Sequence, residues 1–280
     1  MDKVSRPSLT SIANLCYTDK GSLFNSYTVV YEMFFAAKRN DPICLLEIGL
    51  AMGGPELGNP ADRKVTDAPS IRMWHEFFPH AKIYGLDISD FSAMETEWFK
   101  FFRADCGNVS ELRAVADRGI VFDFIIDDGS HASYHQQLTF AELFRCLRPG
   151  GLYFIEDLNW QPPEYEASLP KVSKTSDLLF QLSRGSTDYK SPISEKLALD
   201  IASILIFDED QLIEMRHREN SITGITPVLK HYSDRTTHGI TLARSHLRRI
   251  SEAGGAFIRS LAGRKITPRR AKFAVIQKRL

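Results

Sequence analysis

Three acidic positions stand where a cofactor would meet the edge of a sheet. Glu47-Ile-Gly49 closes the apolar run Ile43–Ile48, Asp87 closes Tyr84-Gly-Leu-Asp87, and Asp105 follows Phe99–Ala104. In an open parallel sheet, ligands bind beyond the carboxyl ends of the strands. Gly49 would let the backbone come close to a ligand. Asp87 could accept both ribose hydroxyls of a nucleoside, and Asp105 could accept from an adenine amino group. The turn reads Gly49-x-x-x-Gly53-Gly54, which is not the glycine pattern of a pyrophosphate cradle. S-adenosylmethionine (SAM) carries a sulfonium and an ammonium but no pyrophosphate. The acidic Glu47 therefore favours SAM over a nicotinamide or flavin dinucleotide.

Two further carboxylate pairs, Asp127-Asp128 and Glu156-Asp157, end later apolar runs, and His131 lies between them in sequence. Taken singly, each pair has a structural reading. Asp127-Asp128 could be a strand-end turn capping the helix that starts near Ser133, and Glu156-Asp157 a solvated strand end. Both pairs at adjacent strand ends, with a histidine between them, favour a functional reading.

The elements that must position these residues follow from periodicity. Apolar residues recur at helical spacing from Ser26 to Lys38. Ile43–Ile48, Lys82–Ile88, Phe99–Ala104, Val121–Ile126 and Leu152–Ile155 read as buried strands, and Ile71–Phe78, Val109–Arg118 and Ser133–Leu147 as helices between them. Residues 52–69, rich in Pro, Gly and Asn, read as a loop. Ala202–Phe207 and Gln211–Met215 flank Asp208-Glu-Asp210 and read as a hairpin, which would add one antiparallel strand. The alternation predicts an α/β, Rossmann-like, doubly wound sheet that is mostly parallel, with seven strands of which the last is antiparallel.

Several segments together resemble the macrolide-sugar O-methyltransferases of the mycinamicin and macrocin type, within the class I SAM-dependent methyltransferases. They are Thr18-Asp-Lys-Gly21, Leu46-Glu-Ile-Gly49, Ser70-Ile-Arg-Met-Trp74, Gly85-Leu-Asp-Ile88, Phe122-Asp-Phe-Ile-Ile-Asp-Asp-Gly-Ser-His131 and Leu147-Arg-Pro-Gly-Gly-Leu-Tyr-Phe-Ile-Glu-Asp157. The resemblance implies a Mg²⁺-dependent O-methyltransferase acting on a sugar hydroxyl or a similar small acceptor. By motif, Asp128, Glu156 and Asp157 would hold the metal, and His131 would be the base beside Asp128. Thr18 and Lys20 would close over SAM, and Glu47, Gly49, Asp87, Asp105 and Asp127 would contact it. Mg²⁺ prefers an octahedron of oxygens, and a cation beside a sugar hydroxyl would bring its pKa within reach of an imidazole. The relatives are oligomers, which implies a homo-oligomer here. Two other readings stay open: a nicotinamide-dependent oxidoreductase on the same sheet, and a SAM-binding module whose basic tail engages a partner.

Composition bounds the rest. The chain has 280 residues and zero formal net charge, so no global field favours nucleic acid. Residues 219–280 hold 13 Lys/Arg against 3 Asp/Glu. This sets a basic C-terminal extension apart from a SAM-binding domain at 43–218 and an N-terminal cofactor-closing segment at 1–42. Within the domain, residues 159–200 (with Trp160, Tyr165, Phe180 and Tyr189) are expected to form a substrate lid. His135 is expected to be structural. Cys16, Cys44, Cys106 and Cys146 have no metal spacing and are expected as free thiols of a cytoplasmic protein. No apolar stretch is long enough to span a membrane.

Overall fold

The computed structural model describes residues 6–186, 188–221 and 267–280. In chain order the elements are α1 (Leu9–Cys16), α2 (Thr28–Phe35), β1 (Cys44–Ile48), α3 (Pro69–Phe77), β2 (Lys82–Asp87), β3 (Phe99–Arg103), α4 (Val109–Ala116), β4 (Phe122–Asp127), α5 (Ser133–Leu143), β5 (Leu147–Ile155), α6 (Pro163–Ser168), α7 (Thr175–Ser183), α8 (Glu195–Leu199), β6 (Ile201–Asp208), α9 (Glu209–Ser221) and β7 (Ala271–Lys278). The strands form one sheet in the order β3-β2-β1-β4-β5-β7-β6. β1 to β5 run parallel, and β7 runs antiparallel to both β5 and β6. This is a Rossmann-like doubly wound sheet with the last strand reversed.

Alternate residues of the strands feed two apolar layers, as the pleat requires. Phe124, Ile126, Phe273 and Val275 face the layer of α1, α2, α3 and α9. Ile125, Ala274 and Ile276 face the layer of α4, α5 and α7. Local signals fix several helix starts. Asn108 caps α4 by accepting from the amides of Ser110 and Glu111, and Pro69 opens α3.

Three expectations are corrected. The N-terminal segment 1–42, where periodicity predicts one helix from Ser26 to Lys38, also contains α1, whose Leu9, Ile12 and Ala13 are buried. Gln211–Met215 is not a strand but part of α9. The reason is a reciprocal cap: the Gln211 amide donates to Asp208 Oδ1 at 2.9 Å, and the Asp208 amide donates to Gln211 Oε1 at 2.9 Å. The antiparallel strand comes instead from Ala271–Lys278, so a domain boundary at 218 leaves an interior strand of the sheet outside the domain. The rest of the expected extension, 222–266, lies outside the described residues. The four cysteines are free. Among the described residues, no helix is long and apolar enough to cross a membrane.

Candidate active site

Two adjoining features lie at the carboxyl ends of β1, β2, β4 and β5. The first is a cleft lined by Gly49, Asp87, Asp105, Asp128, Ser130 and His135, with Glu56, Arg63 and Tyr165 along its rim. Gly49 has φ +82°, and a Cβ there would lie 2.1 Å from the carbonyl oxygen of Asp128. Glycine is thus required for β1 and β4 to end side by side. Asp87 is held rigid by the amides of Leu50 and Ser89, at 2.9 and 2.8 Å. Burial pushes its carboxyl up, and those two amides oppose the shift. Asp105 accepts from the Gly107 amide at 2.7 Å.

The loop after β1 folds back on this cleft. The Arg63 guanidinium donates to the carbonyls of Ala51, Met52 and Gly53 and to Ser89 Oγ. One side chain thus ties the turn after β1 to the turn after β2. The 3₁₀ turn Pro55–Leu57 reaches α6 on the far side.

The second feature is an acidic centre. One ligand atom each from Asp128, His131 and Asp157 lie within 4.8 Å of one another, a group able to hold a metal ion. His131 and Asp157 both adopt left-handed backbone, with φ 58° and 51°. Such conformations cost energy in non-glycine residues and gather at functional sites. His131 Nδ1 is buried without a hydrogen-bond partner, and the ring meets Trp160 edge-on at 5.6 Å. Burial lowers the His131 pKa, against the pull of Asp157.

Behind this group lies Glu156, fully buried. It accepts from Tyr31 Oη, while Tyr27 Oη donates to Asp157 Oδ1 at 2.7 Å. Tyr27 at the N-cap of α2 and Tyr31 on the helix, four residues apart, thus aim their hydroxyls at the two neighbouring carboxylates. Lys20, 1% exposed, pairs with Glu156 at 3.2 Å and Glu47 at 3.4 Å and contacts Asp128. Burial alone would depress its ammonium, but Asp128 and Glu156 raise it well above its ordinary value. Burial pushes the Glu156 carboxyl up to about 8 against the opposing pull of Lys20.

The expected residues therefore divide. Gly49, Asp87 and Asp105 line the cleft, and Asp128 belongs to both features. Thr18, Lys20, Glu47 and Asp127, expected at the cofactor, are not among its lining residues. Thr18 is buried and bonds to Asp19. Lys20 goes to the acidic centre. Glu47 Oε2 accepts from Ser70 at 2.8 Å and from Trp74 Nε1 at 3.0 Å, so its carboxylate is held against α3. Asp127 accepts from Thr139 and from Tyr153 at 2.9 Å and braces α5 against β5.

His135, expected to be structural, lines the cleft, with Nδ1 2.9 Å from Ser130 Oγ and Tyr165 edge-on at 5.5 Å. Of the expected lid aromatics, Trp160 and Tyr165 border the site, whereas Phe180 and Tyr189 pack against the layer of α4, α5 and α7. Tyr27, Tyr31 and Arg63 escaped the sequence reading. The i, i+4 tyrosines on an apolar helix were a usable signal, whereas Arg63 in its loop gave none.

No family profile matches the chain. It is 38% identical over 156 residues to mycinamicin VI 2''-O-methyltransferase of Micromonospora griseorubida, a match covering 55% of this chain and 36% of that protein. It is 35% identical over 173 residues to 8-demethyl-8-alpha-L-rhamnosyl tetracenomycin-C 2'-O-methyltransferase of Streptomyces olivaceus, covering 61% and 43%. Among solved structures it resembles MycE methyltransferase of the mycinamycin pathway in complex with Mg, SAH and mycinamycin VI. The TM-score is 0.56 at 29% identity, over 72% of this chain and 52% of that one. The chain spans less than half the length of these curated relatives and about half of the solved one.

Proposed function

We propose that the chain carries the catalytic machinery of a SAM- and Mg²⁺-dependent O-methyltransferase whose acceptor is a sugar hydroxyl of a glycoside. The observation that supports this best is the convergence of Asp128, His131 and Asp157 at the mouth of a cleft bounded by Gly49, Asp87 and Asp105. The similar proteins are named as O-methyltransferases of mycinamicin VI and of a rhamnosyl tetracenomycin, and the similar structure contains Mg and SAH.

The residues fit both groups. Asp87 and Asp105 present carboxylates at the ends of β2 and β3, where a nucleoside would bind. Asp128 and Asp157, with Glu156 behind them, offer the oxygen ligands that Mg²⁺ prefers, and His131 Nδ1 lacks a protein partner. When bound, SAM supplies an activated methyl group and Mg²⁺ supplies positive charge that acidifies a neighbouring hydroxyl.

The chain's own residues do the rest. Asp87 fixes the cofactor end of the cleft. Tyr27 holds Asp157, and Tyr31 holds Glu156. His131 is kept neutral by burial, so a ring nitrogen can accept the acceptor's proton. Trp160, 43% exposed beside His131, offers a flat apolar face to a sugar ring. From the same resemblance we carry over a cytoplasmic homo-oligomer.

The test is direct. EDTA should abolish methyl transfer to a glycoside acceptor, and Mg²⁺ should restore it. His131→Ala should lower turnover by about 10²- to 10⁴-fold while binding S-adenosylhomocysteine normally by calorimetry. Full activity in EDTA would remove the metal, and binding of NAD in place of SAM would overturn the cofactor assignment.

A further inference from the structure

Lys20 is a charged residue with almost no exposure, and its ammonium lies among carboxylates from three separate strand ends. Glu47 is the penultimate residue of β1, Asp128 directly follows β4 and Glu156 directly follows β5. The ammonium lies 3.2 Å from Glu156 and 3.4 Å from Glu47, touches Asp128 Oδ2, and has Asp19 at 4.0 Å. Two fully buried carboxylates and a part-buried third, gathered this closely, repel one another and are costly to desolvate unless a cation stands between them. Asp128 and Glu156 are also residues that the proposed function gives to the divalent ion. We propose that Lys20 is an internal cation that competes with the divalent ion for Asp128 and Glu156 and thereby sets that ion's affinity.

The surroundings suit such a role. Two cations cannot share one carboxylate oxygen at contact distance without strong repulsion. Lys20 has somewhere to go: Glu47 and Asp19 also face its ammonium, and neither is a carboxylate that the proposed function gives to the divalent ion. Its backbone stays fixed, because the Lys20 carbonyl accepts from the Thr28 amide at 3.1 Å at the start of α2. The flexible stem alone can move. Lys20 thus keeps the carboxylates assembled and holds metal affinity below what their charge would otherwise give.

The inference rests on the metal assigned under the proposed function, so its test reads binding rather than turnover. Mn²⁺ binding to the full chain is measured by electron paramagnetic resonance for wild type, Lys20→Met and Lys20→Arg. Lys20→Met should bind Mn²⁺ at least about tenfold more tightly than wild type, and Lys20→Arg should not. In EDTA, Lys20→Met should melt below wild type, and Mg²⁺ should raise its melting temperature by more than it raises that of wild type. If Lys20→Met fails to fold, the double variant Lys20→Met/Glu47→Gln removes one charge of each sign, spares Asp128 and Glu156, and should still bind Mn²⁺ more tightly than wild type. Binding by wild type with no gain in a folded variant overturns the inference alone. No binding by wild type or any variant overturns the metal assignment as well.

Discussion

The pleat of β4 and the turn after it separate two adjacent carboxylates. Asp128 joins His131 and Asp157 at the mouth of the cleft, whereas Asp127 turns into the layer between α5 and β5. Burial pushes the Asp127 carboxyl up to about 6, with Thr139, Tyr153 and the Gly129 amide opposing the shift. The native state therefore keeps a proton that the unfolded chain, with an ordinary carboxyl near 3.9, has already released. Between those values the native state binds more protons, so this group's contribution to stability falls as pH rises from about 4 to about 6 and is level above that. Asp127→Asn has no such titration. Its stability relative to wild type should increase by about 2 kcal/mol between about pH 4 and pH 7, most of the roughly two pKa units at 1.36 kcal/mol each. Urea unfolding at the two pH values measures this. An unchanged difference would mean that Asp127 ionises as an ordinary carboxylate.

At the scale of elements, the site hangs on α2 and β7. Phe273 of β7 is fully buried, stacks on Tyr27 at 5.1 Å and meets Tyr31 edge-on at 5.2 Å, and those tyrosines hold Asp157 and Glu156. Phe273→Ala should cost about 3–5 kcal/mol of stability, as large-to-small changes in a packed core do, and urea unfolding would show it. A loss below about 1 kcal/mol would mean that the aromatic cluster closes around the gap. The same elements show what could be read in advance. β1 to β5 were legible because each is a short apolar run ended by Gly, Asp or a turn, and the carboxylates that end them were legible with them. β7 was not, because Phe273-Ala-Val-Ile276 is only four residues long and sits among Lys272, Lys278 and Arg279 in a stretch whose composition reads as a solvated tail. α9 was misread because Asp208-Glu-Asp210 looks like a hairpin turn until Gln211 is recognised as the return half of a capping box. Contacts such as Lys20 with Glu156, 136 residues apart, have no local sequence signature.

At the scale of the molecule, residues near the end of the chain complete a sheet that begins near residue 44. β7 lies between β5 and β6, hydrogen-bonded to both, and its Ala271, Phe273, Ala274 and Ile276 are fully buried. Removing residues 267–280 would strip the ladder partners from two strands at once. It would also open both apolar layers and release Tyr27 from Phe273. A strand bonded on both sides contributes to the cooperative core, unlike a strand at an edge. A chain ending at residue 266 should therefore lose its cooperative thermal transition by circular dichroism and lose S-adenosylhomocysteine binding by calorimetry. The cleft proposed for the cofactor, built at the ends of β1, β2, β3 and β4, contains no residue of the deleted segment. Loss of binding would thus report the integrity of the sheet and not the removal of a contact. A truncated chain that melted cooperatively and bound the cofactor product as the full chain does would show that β1 to β5 fold as a unit without β7, and would restore the boundary near residue 218 that the charge distribution suggested.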